Sequence, residues 1–156
     1  MAKWDSIEWR KQRDEKLRFW LKGNLFACDC IVQLSTVSET WDDLVDKDRE
    51  VSNKEIDEAF SILLVRLQNN PFYLQFQTQL MAITLLGINA WMDANALEKA
   101  DTEKERALAF YIRNYCYELT SAAAFFVGGW DWLRSISLEM RMFFQHESYF
   151  TWEKRL

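Results

Sequence analysis

The sequence has 156 residues, of which 49% are hydrophobic, and it contains one proline and four glycines. This length suffices for the core of one domain, and the apolar content excludes an intrinsically disordered chain. The net charge of −5 argues against general nucleic-acid binding, because proteins of that class neutralise phosphates with a basic face.

The first 23 residues contain seven Lys or Arg and four Asp or Glu. We predict a charged N-terminal helix in residues 1–23 that ends at Gly23, since glycine favours the conformation that closes a helix. A basic helix with tryptophans can bind an anionic membrane or an acidic partner. The acids between its basic residues are more typical of an ordinary surface helix.

Residues 25–37 predict a short buried helix, and residues 38–51, with six Asp or Glu, predict an acidic connection. Cys28 and Cys30 lie in that helix. A C-x-C pair without further cysteines or histidines nearby is not a zinc spacing. Free cysteines are often buried as small apolar side chains, and we interpret both residues in this way.

The longest apolar stretch runs from residue 70 to residue 100 and predicts the central helix of the fold. Asn70 is a favoured N-cap, and Pro71 suits the first helical position. Apolar residues spread around most of the circumference of this helix, so we expect other helices to cover it. Thr84 and Asn89 interrupt its apolar core, so we expect no transmembrane segment.

Capping boxes mark the helices on either side of the central helix. Ser52 and Glu55 begin the preceding helix, whose apolar residues recur at the spacing of one face: Ile56, Ala59, Phe60, Leu63, Leu64 and Leu67. Thr102 and Glu105 begin the following helix, which Gly128-Gly129 stops. Short breaks join the three helices, so we predict antiparallel neighbours that form a central hairpin.

The spacing of apolar residues after the two glycines predicts a further helix in residues 130–144, followed by an aromatic tail at 145–156. The tail either packs on its own domain or contacts a partner. No stretch alternates with the period of a strand. Residues 1–156 are therefore predicted to form a single all-α domain, a helical bundle of about five to six helices.

Motifs for nucleophilic or phosphate chemistry are absent from the sequence. His146 is the single histidine, and no serine or cysteine motif accompanies it. Gly128-Gly129 lacks the lysine of a phosphate-binding loop. The three cysteines have no disulfide-framework spacing, and residues 1–16 lack the apolar core of a signal peptide. We therefore expect a cytoplasmic protein.

Two pairs of carboxylates suggest an enzyme as the alternative. Glu55 and Glu58 lie one turn apart on one predicted helix, and a second pair at the end of the next helix consists of Glu98 and Asp101. Antiparallel helices would bring both pairs to one end of the bundle, where four carboxylates could hold Mg²⁺. An ExxE followed by an ExxD in an all-α protein resembles the MazG-type nucleotide pyrophosphohydrolases, although the gap between the pairs is longer here. The resemblance implies Mg²⁺-dependent nucleotide hydrolysis with these four residues as metal ligands.

The aromatic content favours an interaction protein over an enzyme. The chain has eight tryptophans, eleven phenylalanines and five tyrosines, and aromatic residues are enriched at protein interfaces. Many lie near the two ends of the chain, and we expect these to contact a protein partner or a second copy: Trp4, Trp9, Trp20, Trp130, Trp132, Phe150 and Trp152. The leading hypothesis is a non-enzymatic assembly or adaptor protein that needs no cofactor. Such a chain would suit a viral or phage accessory or structural component.

Overall fold

The computed structural model describes residues 7–47 and 49–154, and in these ranges it contains only helices and their connections. The helices are α1 (Ile7–Trp20), α2 (Leu25–Asp46), α3 (Asn53–Ser61), α4 (Pro71–Leu97), α5 (Glu103–Ile112), α6 (Cys116–Phe144) and α7 (Tyr149–Glu153). Between α3 and α4 the chain forms a π-helical turn (Ile62–Arg66) and a 3₁₀ turn (Leu67–Asn69). The predicted all-α fold class is confirmed.

The chain groups into two compact units, Met1–Gln77 and Thr78–Leu156. We call them unit 1 and unit 2. α4 contributes residues to both, and its helical backbone is interrupted near the boundary at Phe76, which has φ −115° and ψ 20°. The predicted antiparallel hairpin of central helices stays a prediction, because its helices belong to different units.

The core of unit 1 forms where α1 packs against α2. Trp20 and Leu21, at the end of α1, are fully buried. Lys22 and Gly23 then adopt φ values of 52° and 74°, so α1 ends where the sequence predicts. Asn24 caps α2 by accepting a hydrogen bond from a backbone amide of its first turn at 3.0 Å.

α2 is longer than the sequence predicts, because residues 38–46 continue the helix instead of forming a connection. Two hydroxyl groups in this stretch donate to the carbonyl oxygen four residues earlier. Ser38 bonds to Leu34 at 3.0 Å, and Thr40 bonds to Thr36 at 2.9 Å. Their hydroxyls are thus satisfied inside the helix and do not cap a new one.

Asn70 joins the corner before α4 to α2. It is buried, and its side-chain oxygen accepts a hydrogen bond from the Tyr73 amide at 3.0 Å, as predicted for an N-cap. Its side-chain nitrogen donates to the carbonyl oxygen of Phe26 at 3.0 Å and to the carboxylate of Asp29 at 3.2 Å. One side chain therefore caps α4 and links it to a helix more than 40 residues away in sequence.

The helix before Asn70 begins as predicted but does not keep a single apolar face. The capping box of Ser52 and Glu55 is present. The backbone then enters the π-helical turn, in which the amide of Leu67 bonds to the carbonyl of Ile62, five residues earlier. Leu67 and Ile62 are both buried, and Leu63 and Leu64 inside the turn are exposed. Phe60, a predicted member of the face that lies before the turn, is exposed as well.

In unit 2, α6 folds back on itself at Gly129. This residue has φ 77° and ψ −175°, a conformation essentially restricted to glycine. The guanidinium of Arg141 lies 3.6 Å from the ring centroid of Tyr117. A straight helix would separate the two residues by about 36 Å, so the two halves of α6 lie along each other. The predicted stop at Gly128-Gly129 is confirmed. The prediction of one helix from the capping box of Thr102 and Glu105 to this stop is wrong, because α5 ends at Ile112 and α6 begins at Cys116.

The aromatic tail is docked on its own unit. It contains α7, which packs against α5. Trp152 is buried, and its ring centroid lies 5.3 Å from that of Phe110, in a cluster with Ala94 and Ala109. Arg106 of α5 pairs with a carboxylate of α7 at 3.0 Å. Through Trp152, the described part of the tail therefore contributes to the core of unit 2.

Gly129→Ala is expected to lower the free energy of unfolding by about 1–3 kcal/mol, because alanine is strained in the Gly129 conformation. An uninterrupted helix predicts the opposite sign, since alanine stabilises a helix interior by about 1 kcal/mol relative to glycine. Urea denaturation followed by circular dichroism measures the difference, with the exposed Ser135→Ala on the same helix as the control. A stabilised Gly129→Ala variant would contradict the fold-back.

Asn70→Asp is expected to lower the free energy of unfolding by about 1–3 kcal/mol, although aspartate also caps helices well. The substitution keeps the acceptor for α4, removes both donated hydrogen bonds and places a second carboxylate beside Asp29. The matched control is Asn69→Ala, because the exposed side chain of Asn69 donates to the carbonyl oxygen of Val65, four residues earlier in the same connection. Wild-type stability for Asn70→Asp would mean that the link to α2 contributes nothing measurable.

Candidate interaction surface

In unit 2, α4 is anchored by one stripe of small and apolar residues. Leu80, Gly87 and Ala94 recur every seven residues and are buried. The ring of Tyr115 lies so close to Gly87 that a Cβ atom there would overlap it, and Ala94 belongs to the Trp152 cluster. These contacts determine which side of α4 packs on the rest of unit 2.

A second side of α4 is exposed. Five residues recur there at alternating steps of three and four, and all are exposed: Thr78, Met81, Leu85, Ile88 and Met92. The four apolar side chains among them are between 39% and 67% exposed. This spacing keeps side chains on one side of a helix, and it is the spacing by which paired helices contact each other. We call these five residues the α4 seam.

The prediction that other helices cover the central helix is wrong for this side. In the most apolar 18-residue window of α4, 17% of the residues are buried. The sequence places apolar residues around several sides of the helix, and the described part of the chain packs mainly against the stripe of Leu80, Gly87 and Ala94. Apolar periodicity alone does not distinguish a helix covered by its own chain from one covered by another molecule.

The seam is electrically neutral. No charged residue occurs between Thr78 and Met92, in a chain whose net charge is −5. Asn89, beside the seam, donates a hydrogen bond at 3.0 Å to the carboxylate of Asp93, the first charged residue beyond it. The seam therefore offers no ionic group to pair with a phosphate or with a charged peptide.

Among the residues described, α4 is the one helix long and apolar enough to cross a membrane by length and composition, with a mean hydropathy of 1.3 in its best window. Core helices of other proteins pass the same test. Thr84, Asn89 and Asp93 interrupt the apolar residues of α4, and a spanning helix would have to place these polar groups in hydrocarbon. This composition agrees with the expected absence of a transmembrane segment.

The aromatic residues expected at an interface are divided between the core and the surface. Three are buried in their own units: Trp9, Trp20 and Trp152. Trp132 is half-buried, and Trp4 lies outside the described residues. Trp130 and Phe150 are 63% and 68% exposed, so these two have the accessibility that their predicted role requires.

The sequence analysis did not identify the α4 seam as an interaction surface. The pattern that could have identified it is the alternating three-residue and four-residue spacing of its residues along the central helix.

The four carboxylates of the alternative hypothesis lie in different units, Glu55 and Glu58 in unit 1, Glu98 and Asp101 in unit 2. Three pair with an arginine of their own unit: Glu55 with Arg49 at 2.8 Å, Glu58 with Arg66 at 2.7 Å and Glu98 with Arg113 at 2.8 Å. Asp101 is exposed.

Within residues 7–47 and 49–154, no group of three or more His, Cys, Asp or Glu side chains is placed to hold a metal ion. Ion pairing accounts for the three glutamates, and the Mg²⁺-dependent pyrophosphohydrolase stays a prediction.

Unit 2 contains a cavity of about 230 Å³ lined by the end of α5 and both halves of α6. Its cation, Arg141, lies over the Tyr117 ring and 3.5 Å from the carboxylate of Glu118. These contacts join the two halves of α6, so Arg141 and Glu118 stabilise the folded-back conformation of this helix.

Cys28 and Cys30 lack the electrostatic setting of a reactive thiol. Burial raises the pKa of Cys30 to about 12, and burial also raises the pKa of Cys28. A nucleophilic cysteine needs the opposite shift, because the thiolate is the reactive form. Both residues agree with their interpretation as small apolar side chains.

Comparison of the chain with protein-family models, with curated proteins and with solved structures found no match.

Glu55 is expected to give a measurable pH dependence of stability. Hydrogen bonds from Ser52, supported by the ion pair with Arg49, lower the pKa of Glu55 from 4.5 to about 2. A carboxylate with a depressed folded-state pKa stabilises the fold above its unfolded pKa, and this contribution disappears as the pH falls from about 4.5 to about 2. The stability difference between wild type and Glu55→Gln should therefore be constant from pH 5 to 7 and shrink below about pH 4.5.

Chemical denaturation at a series of pH values measures this difference. The control is Asp57→Asn, an exposed carboxylate of the same helix. A difference between wild type and Glu55→Gln that does not change with pH would contradict the capping role of the Glu55 charge.

Proposed function

We propose that this chain is a non-enzymatic assembly protein that binds another protein molecule through the α4 seam. The observation that carries the proposal is the exposure of four large apolar side chains at helix-pairing spacing on a helix already anchored by its opposite side. Monomeric proteins rarely leave a contiguous apolar surface uncovered, and such surfaces mark interaction sites.

The chemistry of the seam favours protein as the binding partner. Nucleic acid requires cations, and the seam has none between Thr78 and Met92. Hydrocarbon disfavours polar side chains, and here the hydroxyl of Thr78 lies in the seam and the amide of Asn89 lies beside it. A protein surface can satisfy both the apolar side chains and the hydrogen-bonding groups beside them.

The size of the seam sets the expected affinity. Complete burial of a Leu, Ile or Met side chain contributes about 1.5–3 kcal/mol, so a side chain that is half exposed regains roughly 1 kcal/mol on association. Association itself costs several kcal/mol in lost translational and rotational freedom. We therefore expect binding of moderate affinity that responds to concentration and to single charged substitutions in the seam.

Methionine oxidation is expected to report coverage of the seam directly. Met81 and Met92 lie in the seam and are 56% and 60% exposed, whereas Met142 on α6 is 65% exposed outside it. Mild peroxide treatment of the cells that produce the protein, followed by mass spectrometry, should oxidise Met142 and leave Met81 and Met92 protected. In the purified protein at low concentration, all three should oxidise at similar rates.

Met142 is the internal control for peroxide access in both samples. Equal oxidation of the three methionines in cells would contradict the proposal, because the seam would then be open where the protein works. Protection of Met81 and Met92 in the dilute purified protein would also contradict it, because another part of the same chain would then cover the seam.

A further inference from the structure

We infer that the molecule bound to the α4 seam is the α4 seam of a second copy of this chain, packed helix against helix. The inference rests on the proposed function and adds the identity of the partner. The identity of the partner is inferred from three properties of α4: the spacing of the seam residues, the absence of charge in the seam, and the packing of the opposite part of the helix within its own chain.

The spacing matches the contacts of two paired helices. Thr78, Leu85 and Met92 occupy every seventh position, and Met81 and Ile88 fall three residues after the first two of them. These are the a and d positions of a heptad, whose side chains insert between those of a facing helix. A seam of this pattern is complementary in shape to another seam of the same pattern.

The neutrality of the seam favours an identical partner. The chain has a net charge of −5, so two copies repel each other over much of their surface, and they can approach without like-charge contacts along Thr78 to Met92. In heterotypic helix pairs, charged flanking residues select a partner of opposite charge. The positions that flank this seam are neutral, and a side-chain amide such as that of Asn89 both donates and accepts hydrogen bonds. It can therefore pair with its own copy.

The packing of α4 within its own chain explains how so short a seam can support the association of two helices. From Thr78 to Met92 the helix rises about 21 Å, or two heptads, and isolated coiled coils usually need three or more. The buried stripe of Leu80, Gly87 and Ala94 keeps α4 helical in the single chain. Pairing then joins two preformed helices and does not have to order them, which reduces the entropy lost on association.

Leu85 lies at the centre of the seam and provides the test. In a parallel pair each residue meets its own counterpart. In an antiparallel pair the a positions face d positions, so Leu85 meets Met81 or Ile88 of the second copy, and the two copies of residue 85 lie about one helical turn apart. Leu85→Lys and Leu85→Glu should each weaken association more than about 100-fold, because like charges would lie close together in a dry contact. An equimolar mixture of the two variants should recover the wild-type mass, because opposite charges then lie close together.

Light scattering coupled to size exclusion, over a wide range of concentrations, measures the mass of the 156-residue chain. Wild type should form an oligomer whose fraction rises with concentration. Leu138→Glu, at a site 74% exposed on α6 outside the seam, should keep the wild-type mass. Circular dichroism checks that each variant retains its helical content, so that loss of association is not loss of folding.

The outcomes separate this inference from the proposed function. A wild-type monomer at every concentration, together with protected Met81 and Met92 in cells, would overturn self-pairing and leave a foreign partner at the seam. If the protein stays monomeric and floats with phosphatidylcholine vesicles, the seam binds lipid, and both proposals are overturned. An oligomer that the Leu85 variants do not weaken, or a mixture that does not recover the mass, would place self-association on another surface.

Discussion

The helix α4 has apolar residues on several sides, and the described part of the chain covers mainly the side of Leu80, Gly87 and Ala94. Two of these three residues are small, because Gly87 must admit the ring of Tyr115 and Ala94 must admit the cluster around Trp152. The seam keeps large residues such as Leu85 and Met92 exposed. Small residues allow close packing within the chain, and large ones have area to bury against another molecule. The rest of unit 2 and the proposed function both depend on this division.

Unit 2 uses its charged residues to hold its own helices together. Arg106 joins α5 to α7, Arg113 joins the end of α5 to Glu98, and Arg141 joins the two halves of α6. These arginines are engaged in structural ion pairs, and the one that lines the cavity, Arg141, lies over the Tyr117 ring and pairs with Glu118. The surface left for binding is therefore apolar and neutral, which suits an assembly protein better than a catalytic one.

Local signals in the sequence predicted the ends of helices well. The capping box of Ser52 and Glu55, the N-cap at Asn70 and the interruption at Gly129 depend on residues close in sequence, and each is present in the structure. The continuation of α2 beyond residue 37 was missed, since Ser38 and its neighbours can either cap a helix or bond inside one. Which alternative forms depends on the packing of the whole helix.

The sequence by itself determined the all-α class, the positions of most helix ends and the residues that share each side of a helix. These follow from hydrogen bonding and periodicity over a few residues. Only the tertiary structure decided that Trp20 and Trp152 belong to the core, that Ile62 joins Leu67 among the buried residues at the π-helical turn, and that the α4 seam stays exposed. Periodicity specifies which side chains lie together, and burial depends on which other surfaces reach them.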